Sequence, residues 1–245
     1  MSDPFVLSFL AFSFLLAGGV KGAAGMGLPT TAMGLSTLFV DPRMAVALIL
    51  IPMITSNAWQ VYRSGDTLRA CRTYLPFAMA LMICVFATVL LTSNAPDAIL
   101  FATLGGTLLI FVTVNLTRWR PRISSAQDTK VQVGAGFIAG VMGGLTSVWA
   151  PPLAVYLAAK DVTKDEFVRA TGLLIFLGSI PLAIGYLSQG HMTSRVALIS
   201  TLMILPTFAG FAIGENIRHR LSEQAFKNVL LVFNNPVFCF RSCFI

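Results

Sequence analysis

Residues 19–29 read GVKGAAGMGLP, a lysine among four glycines and two alanines, flanked by runs of Leu, Phe, Ala and Val. Glycine and proline both interrupt helices. Residues 140–157, GVMGGLTSVWAPPLAVYL, repeat the arrangement half a chain later. What such a break means depends on the solvent around it. At membrane depth, irregular backbone persists only where it is buried in protein or lines a wet cavity.

Composition places it there. The 245 residues are 56% hydrophobic and 11% charged, with a mean hydropathy of +0.80; soluble domains carry about 25% charged residues. The fold class is therefore an all-α polytopic membrane protein. No soluble domain fits, because the longest polar stretch, RWRPRISSAQDTK (118–130), is only a connector. The net charge of +7 resides in short inter-helix loops. That pattern suits lipid headgroups and orientation, not nucleic acid. The cysteines (Cys71, Cys84, Cys239, Cys243) form no CxxC pair and no cluster with histidine, so no metal and no cofactor is expected. The N-terminal stretch has Asp3 and no basic region, and reads as a first membrane helix, not a cleaved signal.

Apolar segments fall at 5–19, 27–40, 44–62, 74–92, 98–117, 131–145, 153–159, 169–187, 194–213 and 225–240. Those at 44–62, 74–92, 98–117, 169–187 and 194–213 approach the length of a span. The last is interrupted by Asn234, Asn235 and Pro236. Matching the two breaks letter by letter aligns Gly19 with Gly140, Gly22 with Gly143, Ala23 with Gly144, and Pro29 with Pro151 after one inserted residue. Farther on, Ala47 matches Ala170, Ser56 matches Ser179 and Tyr62 matches Tyr186. The offset stays near half the chain. The expected organisation is repeat one at 1–117, a cytoplasmic connector at 118–130, and repeat two at 131–245.

Counting Lys and Arg decides between two topologies. If each broken unit crosses once, seven basic residues lie outside against eight inside, which is no bias. If each is a hairpin that enters and leaves on one side, thirteen lie inside; only Arg43, Arg195 and Arg241 lie outside, with Lys21 set apart. The hairpin topology is adopted. Each repeat then holds a Gly/Pro-broken hairpin plus three transmembrane helices, an odd number of crossings, so the repeats are inverted. That is an architecture of secondary transporters.

The chemistry follows from the breaks. Freed N–H groups and the positive end of the next half-helix attract anions. The expected donors are Gly25–Thr31 in the first break, including Gly27, and Gly144–Ser147 in the second. Beside them lie Gly22, Gly143, and the hydroxyls of Thr146 and Ser147. Pro29, Pro151 and Pro152 lack donors but suit a helix's first turn. Lys21, an ionisable residue inside the membrane, adds a positive charge where the breaks converge. The alternative is that it snorkels to headgroups. Asn57 either lines the same cavity or joins helices. Trp149 is expected to wall the cavity. Trp59, Trp119, Tyr62 and Tyr186 suit an aromatic belt, and Asn115 an interface. His191 and His219 fall in loops, and no acidic residue lies within an apolar segment.

Over about residues 8–230 the chain resembles the TauE/SafE family, the sulfite exporter or toluene sulfonate uptake permease group. The resemblance rests on the duplicated break, GVKGAAGMGLP and GVMGGLTSVWAPP. It extends to the following helices, DPRMAVALILIPMITSN and TKDEFVRATGLLIFLGS. It implies a multi-pass protein of the bacterial inner membrane that carries sulfite, organosulfonates or related small organic anions. The implied mechanism is alternating access at a central site, with a coupling proton or Na⁺ and membrane lipids as the other partners. Lys21 departs from the small or apolar residue often found there, and NNPVFCFRSCFI departs from an apolar closing helix. The sequence gives no oligomeric state. A non-transporting membrane-embedded enzyme or assembly factor is the alternative; clustered His, Asp or Ser within the apolar segments would favour the enzyme.

Overall fold

The computed structural model describes residues 4–93, 95–96, 98–103, 105–106, 109, 123–124, 126–222 and 225–226, and among these it contains helices and no strand. The helices are α1 (Pro4–Ala24), α2 (Leu28–Ser36), α3 (Pro42–Ser64), α4 (Thr67–Thr73) and α5 (Leu75–Leu91). They continue with α6 (Asp128–Thr146), α7 (Ala150–Ala159), α8 (Lys164–Ser188), α9 (Ser194–Leu202) and α10 (Ile204–Arg220). Most of the expected 98–117 span, Asn115, Trp119, nearly all of the 225–240 span, Cys239, Arg241 and Cys243 lie outside the described residues.

Length and apolarity suit α1, α3, α8 and the α9–α10 pair to crossing a membrane. The α4–α5 pair, bent by 77° beside Tyr74, makes a fifth candidate if taken as one span. α2 and α7 have nine and ten residues; at 1.5 Å per residue they cover about half of a ~30 Å hydrocarbon core. The helices run past the apolar segments that predict them. Their ends therefore carry Glu166, Arg169, Glu215 and Arg218, and His219 lies in the last turn of α10, not in a loop.

One boundary changes the site. Lys21 is expected in the first break, but α1 continues through it to Ala24, and the Gly25 N–H still donates to the Lys21 carbonyl at 2.7 Å. The break proper is Gly25–Gly27. Gly25 (φ 79°) and Gly27 (φ 103°) are both left-handed, a conformation that ends an α-helix and suits glycine. In the same way Gly143, Gly144 and Thr146 belong to the last turn of α6, and the second break is Ser147–Trp149.

α3 and α8 pack on each other and are the most buried spans, with 61% and 67% of their apolar windows buried. α1 lies along α10 and α6 along α5, while α2 packs on α3 and α7 on α8. Exchanging the chain halves maps these pairings onto themselves. Between helices in lipid, small residues permit close backbone approach. A Cβ on Gly18 would meet Thr207 and Phe211, and one on Gly22 would meet Phe211 and Glu215. The counterparts are Gly140 against Leu81 and Val85, and Gly144 against Val85 and Thr88. Packing thus pairs Gly18 with Gly140 and Gly22 with Gly144, one residue away from the letter match. In this register Gly25 falls opposite Ser147, both at positive φ, and Pro29 opposite Pro151 with no inserted residue. The helix caps Asp41 and Thr163 keep the same register.

Candidate functional site

The last turn of α1 delivers Lys21 into the space between α1, α3 and α8, where the residue is fully buried. Its Nζ donates to Asn57 Oδ1 at 2.6 Å and to Gln60 Oε1 at 2.8 Å. The orientation of both amides is fixed from behind. Asn57 Nδ2 donates to the Met53 carbonyl at 2.7 Å. Gln60 Nε2 donates to the carbonyls of Gly25 (2.9 Å) and Val168 (2.7 Å). With both NH₂ groups committed to carbonyls, the two amide oxygens face the ammonium. Thr171 Oγ1 lies 3.1 Å from the same Gly25 carbonyl, with the Phe167 and Val168 carbonyls closer to its single proton at 2.8 and 3.0 Å. Through the Gln60 amide the first break is tied to α3 and α8.

The arrangement replaces snorkelling with burial. An ammonium out of water costs several kcal/mol even after relaxation. Hydrogen bonds to a charged group return about 1.5–3 kcal/mol each. Two of the three ammonium hydrogens have neutral oxygen acceptors, and the ring centroid of Phe211 lies 6.0 Å away, at the edge of cation–π range.

The second break is built differently. Ser147 is left-handed (φ 58°), and its N–H closes α6 on the Gly143 carbonyl at 2.7 Å. Thr146 Oγ1 donates to the Met142 carbonyl at 2.9 Å and accepts from the Val148 N–H at 3.3 Å. Trp149 caps α7 and lays its ring on Gly143, where a Cβ would come within 2.1 Å of the indole. Ser147 Oγ and Trp149 Nε1 are buried without a hydrogen-bond partner. Each such atom costs about 1–3 kcal/mol unless something binds it.

Both short helices start uncapped. α2 begins at Gly27 with Pro29 in its first turn, and α7 at Trp149 with Pro151 and Pro152; neither has a side-chain cap. By contrast Asp41, Thr163 and Thr193 cap α3, α8 and α9. The donors differ from expectation, however. The N–H groups of Gly25, Thr31 and Ser147 are used within the chain, and Gly144–Thr146 are helical, so their N–H groups serve α6. The helix-start N–H groups that remain are those of Leu28 and Thr30 in α2 and of Ala150 in α7, since Pro29, Pro151 and Pro152 have none.

The structure therefore brings Lys21, Asn57 and Gly25 together, and gathers Gly143, Thr146, Ser147 and Trp149 around the second break. Gly22 and Gly144 hold helices close to α10 and α5. Gln60 and Thr171 escaped the sequence reading. Gln60 lies three residues after Asn57, on the same face of α3, and that spacing was the available signal. Trp59 and Tyr62 are exposed as a belt requires, but Tyr186 is buried at 5% exposure. No group of His, Cys, Asp and Glu among the described residues is arranged to hold a metal.

A family model described as "Sulfite exporter TauE/SafE" matches residues 10–234. No curated protein and no solved structure matches the chain.

Proposed function

The chain belongs to the sulfite exporter TauE/SafE family, and we propose that it is a secondary transporter of small oxyanions. The substrates are sulfite, organosulfonates or related sulfur-containing or organic anions, moved by alternating access across a bacterial inner membrane with a coupling proton or Na⁺. The observation that carries the reading is the fully buried amine of Lys21, hydrogen-bonded to neutral oxygens alone. A substrate anion supplies the missing negative charge. The uncapped first turn of α2 adds N–H donors, that of α7 adds only the Ala150 N–H because Pro151 and Pro152 have none, and Ser147 Oγ and Trp149 Nε1 add side-chain donors.

The alternating mechanism rests on two inverted repeats. Supporting this are the helix pairings that survive exchange of the halves and the Lys and Arg count, which is biased thirteen to three under the hairpin topology and unbiased under the other. Each half contributes one broken helix, so rocking one half against the other opens the site to either face.

Thermal unfolding in the presence of anions tests the reading. A ligand at about 100 times its Kd stabilises the folded state by about 2.7 kcal/mol. Sulfite or a small organosulfonate should raise the unfolding temperature, and chloride at equal ionic strength should not. Equal curves for all anions would contradict an oxyanion site.

A further inference from the structure

Among the described residues the fully buried Nζ of Lys21 has two hydrogen-bond acceptors, Asn57 Oδ1 at 2.6 Å and Gln60 Oε1 at 2.8 Å. Neither oxygen is free to turn away, because backbone carbonyls hold the NH₂ group of each amide. A neutral amine has two N–H donors and a lone pair, and this pocket satisfies both donors. An ammonium has three donors. Its third would have only the Phe211 ring, whose centroid is 6.0 Å away.

No carboxylate among the described residues pairs with Lys21. On α10, Glu215 accepts from Arg218 at 3.0 Å and lies 3.9 Å from Arg63 and from His219. On α8, Glu166 is paired with Arg169 at 2.8 Å, and Lys164 and exposed Asp165 open the helix. α2 has no titratable residue, while Arg43 on α3 and Tyr186 on α8 lie toward the other ends of their helices. The charge that acts on Lys21 is the Arg218 guanidinium, another cation. A buried charge with no counter-charge neutralises in preference to staying charged.

We propose that Lys21 is the proton-coupling residue of the carrier, neutral in the empty site and protonated as the anion arrives, so that one proton crosses with each singly charged anion. The inference rests on the transporter reading above and names its coupling ion. The Nζ lone pair takes a proton from water on the loading face. The third N–H so formed donates to the anion, and the proton returns to water on the far face as the anion leaves. The amine and its ligand then sum to zero charge both empty and loaded. An anion beside the neutral amine, or an ammonium with no anion, leaves a net buried charge. Those mixed states are costly in a low-dielectric interior, which opposes the crossing of either species alone.

Proton and anion each raise the affinity for the other. Anion affinity is therefore highest in acid, where the empty site is already protonated, and falls as pH rises.

The test is calorimetric titration of the full chain in lipid nanodiscs with methanesulfonate, in paired buffers of different ionisation enthalpy, which counts protons taken up. Methanesulfonate keeps one negative charge throughout, so any proton taken up goes to the protein. The expected uptake is about one proton per bound anion at alkaline pH, declining toward zero in acid, with Kd rising by up to about tenfold per pH unit where uptake is full. Lys21→Arg stays charged throughout and should bind with no uptake and no such slope. Should Lys21→Arg not fold, Lys21→Met takes its place, and its residual binding should also proceed without uptake. Binding by the parent chain without proton uptake, or full uptake in the variants, overturns the coupling and leaves the carrier reading standing. Failure of the parent chain to bind methanesulfonate or sulfite at any pH overturns both.

Discussion

Lys21 concentrates the argument at the scale of a single residue. Its amine is buried and its partners are neutral, so its removal separates binding from folding. In Lys21→Met the oxygens of Asn57 and Gln60 lose a donor, but a buried amine that must be desolvated or neutralised disappears as well. Unfolding of the anion-free protein should therefore shift little. Sulfite affinity should fall by about 1.5–3 kcal/mol, the worth of a hydrogen bond to a charged group, which is roughly ten- to over a hundredfold in Kd. Lys21→Arg keeps the charge but not the compact ammonium, and should rescue only in part. Parallel titration and melting curves check both statements; unchanged affinity in Lys21→Met removes the residue from the site. The converse variant is Gln60→Leu. It strips an acceptor from Lys21 and the donors from Gly25 and Val168, and should destabilise the fold by about 1–3 kcal/mol in chemical denaturation.

At the scale of the helix, the two breaks make distinct predictions. Ser147 sits at φ 58° with a buried, partnerless hydroxyl. Ser147→Gly relieves a left-handed conformation that costs an L-residue about 1–2 kcal/mol, yet deletes the hydroxyl. Stability should rise or hold while anion affinity drops; both falling together would assign the hydroxyl a structural role instead. The α1–α10 seam is more demanding. A Cβ on Gly210 would stand 1.9 Å from the Leu15 carbonyl oxygen, and one on Gly214 2.0 Å from that of Gly19. Gly210→Ala must push the helices apart and should cost about 1–3 kcal/mol, measured by unfolding in mild detergent. Much of this level was legible in the sequence. Apolar runs located α3, α5, α8 and α9–α10, and Gly with Pro marked both breaks. The exact start of each break was not legible, because Ala23 and Ala24 extend α1 past Lys21 as readily as they could have ended it. Nor was the one-residue register between the breaks, which depends on which glycine meets Thr207 or Leu81 across the seam. A pairing partner far along the chain leaves no local trace.

Across the whole molecule the account requires two halves of opposite orientation around α3 and α8. Cysteines placed singly on a background lacking the four native ones should report it. Arg43→Cys and Arg195→Cys should react with an impermeant reagent from the periplasm, and Arg69→Cys and Lys164→Cys only after lysis. Periplasmic labelling at Lys164→Cys would remove the inversion. Lys21 and the breaks were visible from the sequence at this scale, whereas Gln60 and Thr171 were not. Those residues come from segments far apart in the chain, and only the packing of α3 against α8 unites them. The most direct test of the transporter itself is counterflow in proteoliposomes loaded with unlabelled sulfite or organosulfonate. The account predicts that labelled anion accumulates transiently inside vesicles carrying the parent chain, and that Lys21→Met abolishes or greatly slows this. Vesicles that exchange no tested oxyanion with the parent chain, or exchange it equally well with Lys21→Met, would contradict it.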